Sequence, residues 1–189
     1  MPIPVSDKIS RADYLTHERT AKTRSEWIDG QVVAMTGGSR AHNLIVTNLV
    51  RELSSRLRGG PCEVYSNDLR VGIQTANLYT YPDVVVVCDP PEFEDDQFDT
   101  LLNPTLIVEV LSPSTESYDR GKKFERYRSI ESLRNYLLVA QDQPRVERFQ
   151  RREGGFWMFS DRVGLDATLE LETPEVALPM SEIYDRIEL

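Results

Sequence analysis

The sequence predicts an α/β (α+β) fold, a mixed β-sheet flanked by helices, and three observations predict it. Asp83-Val-Val-Val-Val87 and Thr105-Leu-Ile-Val-Glu-Val-Leu111 are continuous β-branched runs, as in strands buried on both faces. A helical stretch at 116–131 separates the second run from Asn135-Tyr-Leu-Leu-Val-Ala140, and that strand–helix–strand order implies a crossover between parallel strands. Leu44, Ile45, Leu49, Leu53 and Leu57 recur at helical spacing.

The elements follow in order. Ser10 to Arg19 reads as a short helix, with Ser10 as N-cap and Asp13 in the first turn. Glu26 to Met35 reads as a hairpin about Asp29-Gly30, the dipeptide of a type I′ turn. Gly37-Gly38-Ser39 breaks that strand and opens a helix from 40 to 58, which Gly59-Gly60-Pro61 ends. Segments 62–66 and 69–74 are strand-like, and the acidic, proline-bearing stretch 89–104 reads as an exposed loop. Short strands are expected at 145–151, 155–160 and 168–172, with a closing helix at 180–186. No repeat, linker or low-complexity tract interrupts the chain, so residues 1–189 are expected to form one domain.

Bulk properties narrow the function. The 189 residues are 40% apolar and 28% charged, ordinary for a globular chain. No apolar run approaches the roughly 20 residues of a membrane helix, and Met1-Pro-Ile-Pro-Val-Ser6 lacks the basic and apolar pattern of an export signal. A cytoplasmic protein is expected, with Cys62 and Cys88 as free thiols. The net charge of −9 opposes broad binding to a polyanion. Basic residues are nevertheless gathered in two groups, Arg120 to Arg134 and Arg145 to Arg152.

Glu109 lies between valines in an apolar strand, where a carboxylate is costly unless paired. It is either a metal ligand or an acid held in an internal salt bridge. Asp83, at the mouth of the valine run, can meet it at neighbouring strand ends, giving an oxygen-rich site for Mg²⁺ or Mn²⁺; alternatively Asp83 only starts a strand. Lys123 lies on the helix after the Glu109 strand, beside the apolar side marked by Phe124 and Tyr127. There it can reach the acids, steadied by Asp119 one turn earlier, or it belongs to a solvated basic face. Glu26 is a candidate third carboxylate and His42 a candidate phosphate or proton contact, each against a local structural role. His17 reads as exposed, and Tyr65, Tyr79 and Tyr81 as half-buried core in preference to base-stacking groups. The GxSxG and GxxxxGK[ST] motifs and zinc-ligand spacings are absent.

Tyr81-Pro-Asp83, Leu106-Ile-Val-Glu-Val-Leu-Ser-Pro-Ser-Thr115 and Asp119-Arg-Gly-Lys-Lys-Phe-Glu-Arg-Tyr127 together resemble the bacterial Uma-type restriction-endonuclease family of the PD-(D/E)-x-K nuclease superfamily. The likeness extends to Glu26-Trp-Ile-Asp-Gly30, Ala41-His42 and Asn135-Tyr-Leu-Leu-Val139, and so to nearly the whole chain. It implies a restriction-endonuclease-like fold and hydrolysis of phosphodiesters, with DNA as partner and a homodimer as assembly. It also implies that Asp83, Glu109 and the Val110 carbonyl hold Mg²⁺ or Mn²⁺. The superfamily's lysine two residues after the glutamate is missing, since Leu111 stands there. Lys123, four residues before Tyr127, takes its place, with Lys122 as rival because one step turns a helical side chain by about 100°. The alternative is a domain of the same fold that binds nucleic acid or a partner without turnover.

Overall fold

A computed structural model describes residues 8–188. Helix α1 (Arg11–Glu18) starts at Ser10, whose hydroxyl accepts from the Asp13 amide. Strands β1 (Ser25–Ile28) and β2 (Gln31–Ala34) form the expected hairpin. Asp29 and Gly30 both have positive φ, 51° and 92°, as a type I′ turn requires. Gly30 is doubly constrained, since a Cβ there would lie 2.9 Å from the Lys8 Cβ.

Helix α2 (Arg40–Arg56) is capped by Ser39 and followed by β3 (Glu63–Ser66), β4 (Arg70–Ile73), β5 (Leu78–Thr80) and β6 (Val84–Val87). Next come β7 (Thr100–Leu101) and β8 (Leu106–Val110). The crossover helix is built in pieces: α3 (Glu116–Tyr118), a π-helical turn over Asp119–Lys123, and α4 (Phe124–Tyr127). It therefore ends before the expected residue 131. Strands β9 (Asn135–Val139), β10 (Arg145–Arg151), β11 (Trp157–Val163), β12 (Thr168–Glu172) and β13 (Glu175–Pro179) precede α5 (Met180–Ile183).

The larger sheet has the order β11-β10-β9-β8-β6-β3. It is mixed, because β8 and β9 run parallel across the crossover while β6 pairs antiparallel to β8. Its central strands are buried throughout, as the β-branched runs imply. One face packs on α2, joining Ile45, Leu49 and Leu53 to Val84, Val86, Val108 and Leu137. The other face meets the crossover helix and the smaller sheet, ordered β2-β1-β5-β4-β7. There Val71, Ile73 and Leu78 join Val85, Ile107, Tyr127, Tyr136 and Leu138. The candidate site lies where this second layer ends.

Two expectations are corrected. Cys62 and Cys88 are not free thiols but a disulfide. The β3–β6 ladder pairs Glu63 with Val87, so one further step sets the two cysteines face to face. The 89–104 stretch is not simply an exposed loop, because Thr100, Leu101 and Asn103 are buried and β7 pairs with β4. Cations on neighbouring elements pair with two of its acids, Asp95 and Asp99. The Arg19 Nε donates to Asp99 at 2.8 Å and its terminal nitrogen to Asp95, while buried Arg70 lies 3.0 Å from Asp99.

Arg19, followed by Arg70, holds the Asp99 carboxyl far below its ordinary range. A depressed folded-state pKa adds stability above the unfolded value, and that stability is lost as pH falls through the folded value. Urea midpoints of the wild type should therefore drop steeply below about pH 4. Asp99→Asn should be less stable at pH 7 and show a shallower acid slope; identical slopes would remove this role.

Candidate active site

The register brings the two central acids together. Val84 pairs with Val108 in the antiparallel β6–β8 ladder, so Asp83 and Glu109 stand opposite each other one step beyond it. Opposed residues in an antiparallel pair project to the same face. This is the face of Val85 and Ile107, beneath the crossover helix.

Glu109 is 5% exposed. Its Oε1 accepts from the Tyr127 hydroxyl at 2.7 Å and lies 2.9 Å from the Lys123 ammonium. Asp83 uses Oδ2 in the same way, accepting from the Val110 amide at 2.7 Å and lying 3.2 Å from His42 Nε2. Each carboxylate is thus anchored through one oxygen. Among the described residues, Glu109 Oε2 and Asp83 Oδ1 have no recorded hydrogen-bond partner.

Lys123 rather than Lys122 faces the acids. Lys123 is 6% exposed, whereas Lys122 lies in solvent. The π turn over Asp119–Lys123 widens the helix where the ammonium must reach inward, a distortion often found at functional sites. Besides Glu109, the ammonium lies 3.3 Å from Glu26 and 3.7 Å from Asp119. Glu26 comes from the other sheet and also accepts a short hydrogen bond from the Thr80 hydroxyl. Asp119 is buried on the turn before the lysine, and its backbone carbonyl accepts from Tyr136 at 3.1 Å.

Charge is concentrated here on buried side chains, Glu109, Asp119 and Lys123. Burial raises the Glu109 pKa, opposed by Lys123 and reinforced by Asp119 and Asp83. Burial also raises Asp119. Burial disfavours the Lys123 ammonium too, but Glu109, Glu26 and Asp119 outweigh it and hold the amine protonated. The hydrogen bond to Asp83 raises His42. His42 rises from the first turn of α2, so it reaches Asp83 from the opposite side of the sheet to Lys123.

Glu109, Glu26 and Asp119 thus gather around Lys123 in one ion-paired group, while Asp83 and His42 form a second pair. Among the described residues, Asp83 is tied to the first group only through the backbone amide next to Glu109. Val110 is joined through its amide. His17 is exposed, and Tyr79 and Tyr81 are core residues bonded to Glu94 and Glu18, so they offer no stacking surface. Two polar contacts escaped sequence reasoning. Tyr127 carried a signal, its four-residue spacing from Lys123, but was read as an apolar marker; Thr80 carried none. Tyr127→Phe should cost about 1–3 kcal/mol, since it removes a donor to a buried carboxylate. Thermal unfolding measures this, and a loss under half a kcal/mol would mean that the bond contributes little.

Most of the sequence's basic groups turn out to be structural. Arg120 binds Glu116 and Glu147, Arg126 binds Asp29, and Arg145 binds Asp161. Arg151 donates to the carbonyls of Arg128, Ile130 and Leu133, and Arg152 pairs with Glu172.

Comparison with known proteins places the chain in a family and its fold among known ones. The Uma2 family, described as "Putative restriction endonuclease", matches residues 11–181. A protein of Synechocystis sp. named only as uncharacterized is 38% identical over 177 residues, covering 94% of this chain and 92% of its own. A second from the same organism, also named as uncharacterized, is 35% identical over 170 residues, covering 90% and 96%. A crystal structure from Anabaena variabilis, described as "a putative nuclease belonging to DUF820", superposes with a TM-score of 0.76 at 17% identity. It covers 95% of this chain and 99% of that one, and so shares the fold. With the match spanning residues 11–181, the chain belongs to the Uma2 family.

Proposed function

We propose that this chain is a divalent-cation-dependent phosphodiester hydrolase, a DNA endonuclease of the PD-(D/E)-x-K class. The observation that carries the reading is the opposed pair Asp83 and Glu109, each anchored through one oxygen, beside a buried ammonium 2.9 Å from Glu109. The family description and the description of the Anabaena protein support it.

The donor set suits Mg²⁺ or Mn²⁺. Among the described residues no three His, Cys, Asp or Glu side chains form a ready metal cage. A hard cation that keeps several waters takes only one or two carboxylates, and Asp83 and Glu109 supply two, with the Val110 carbonyl as a proposed third ligand. A bound ion would supply charge neutralisation at the scissile phosphate and a more acidic water.

The chain's own groups perform the rest. Tyr127 fixes the rotamer of Glu109, while Val110 and His42 fix that of Asp83. Lys123, held protonated by three acids, places a positive donor where negative charge develops on the phosphoryl oxygens. Glu26 and Asp119 keep that ammonium in place. The apolar second layer excludes bulk water, so these charges act in a low dielectric. A homodimer in the cytoplasm belongs to the same proposal, since cutting two strands takes two sites.

A second reading has one observation in its favour. Lys123 is already satisfied by acids, as in a purely structural ion-pair cluster on a domain that binds without turnover. Incubating the purified protein with plasmid and single-stranded DNA separates the two. The hydrolase reading expects nicking with Mn²⁺ or Mg²⁺ and none with chelator. Intact DNA under all conditions, with no calorimetric signal for either ion, favours the structural cluster.

A further inference from the structure

The row containing the two acids continues across the sheet. Glu109 pairs with Leu138, Leu138 with Glu147, and Glu147 with Asp161, all projecting to one face. Over Leu138 lies a cavity of about 440 Å³, floored by Leu111, Leu138 and Ala140. Adjacent strands are spaced about 4.8 Å apart, so the floor begins one strand from Glu109. That is within a single nucleotide's reach of a phosphate held at the carboxylates.

The lining selects the chemistry. Its cations, Arg120 and Arg145, are already paired with Glu147 and with Glu116 or Asp161. Acids at the cavity match them, so it does not favour a phosphate. An apolar floor beside the Gln143 amide suits a flat, neutral, hydrogen-bonding ring. Beyond Glu147, in the next row of the same face, Phe159 packs on Phe149 with centroids 5.2 Å apart and planes tilted by 55°, and it is 52% exposed. A solvent-facing aromatic at that place is a stacking platform for a following base. The broad basic surface that would track a duplex backbone is largely consumed in ion pairs.

We propose that the cavity over Leu138 receives one unpaired nucleobase next to the scissile phosphate, so that the substrate is single-stranded or locally unpaired nucleic acid. The proposal rests on the hydrolase reading above and narrows its substrate class. In continuous duplex a base must first be unstacked to enter such a pocket, which selects for substrates where it is already free.

The test uses Mn²⁺-loaded protein with three substrates: bis(p-nitrophenyl) phosphate, a single-stranded oligonucleotide, and the same sequence as blunt duplex. The single strand should be cut at least about tenfold faster than the duplex. Ala140→Leu, which fills the cavity, and Phe159→Ala, at an exposed position that does not threaten folding, should each lower the ratio of oligonucleotide to chromogenic-diester turnover by about tenfold. Equal rates on both nucleic acids, or unchanged ratios in both variants, overturn the proposal. A binding arm in Ca²⁺ follows 2-aminopurine fluorescence in single-stranded and duplex oligonucleotides. Single-strand preference there without turnover of any substrate supports the cavity and refutes the hydrolase; no preference refutes the cavity, whatever the chromogenic rate.

Discussion

Lys123→Met should abolish metal-dependent cleavage and destabilise the protein by about 3–5 kcal/mol, the cost of breaking a buried ion pair from one side. Methionine matches the lysine stem closely, so little packing is lost. What disappears is the ammonium that, among the described residues, is paired with Glu109, Glu26 and Asp119. Three acids then share a dry site with no cation among the contacts that now hold them. Removing a donor aimed at developing phosphoryl charge should itself lower the rate at least about a hundredfold. Saturating Mn²⁺ should restore part of the lost stability, because an ion that binds only the folded chain shifts the equilibrium toward it. Urea denaturation with and without Mn²⁺ checks both parts. A variant as stable as wild type, and indifferent to Mn²⁺, would show that the ammonium is not balancing these acids.

Glu109→Gln isolates the other half of the site. The amide oxygen can still accept from Tyr127 and Lys123 in place of Oε1, so the hydrogen-bond frame survives. Stability should change by no more than about 1 kcal/mol, because removing a charge from a buried position offsets the weakened ion pair. The anionic oxygen left over for a cation is lost, and cleavage should fall by about a thousandfold. The two substitutions therefore differ in kind: one removes activity and stability, the other activity alone. Wild-type nicking by the Glu109→Gln protein would eliminate the proposed site.

The parts of this arrangement that were legible in the sequence are those carried by unusual residues in plain contexts. A glutamate amid Ile107, Val108 and Val110 announces itself, because an apolar strand gives it no local partner. Asp83 at the start of four valines fixes its own place at a strand end. The hairpin was legible because Asp29-Gly30 is one of the few pairs that tolerate two positive φ values.

What stayed hidden depends on register and on long-range partners. The disulfide requires knowing that β3 and β6 are neighbours in one alignment, which Cys62 and Cys88 alone do not reveal. Strand β7 is two residues long and lies in an acidic stretch that looks solvated until Arg19 and Arg70 are placed beside it. The basic groups at 120–134 and 145–152 looked like a polyanion surface. Their partners, such as Asp29 in the β1–β2 turn and Asp161 on β11, lie on other elements and are invisible to local charge counting. The π turn that directs Lys123 inward left no pattern, since helical periodicity predicts a regular helix through Asp119–Lys123.

Anomalous diffraction from crystals soaked in Mn²⁺ tests the central claim most directly. Cation density lying roughly 2–2.5 Å from one oxygen of residue 83 and one of residue 109 is the result expected of a hard ion bridging opposed strand ends. Well-ordered carboxylates with Lys123 still paired to Glu109, and manganese density only elsewhere on the molecule, would contradict it and leave a buried electrostatic cluster without a metal.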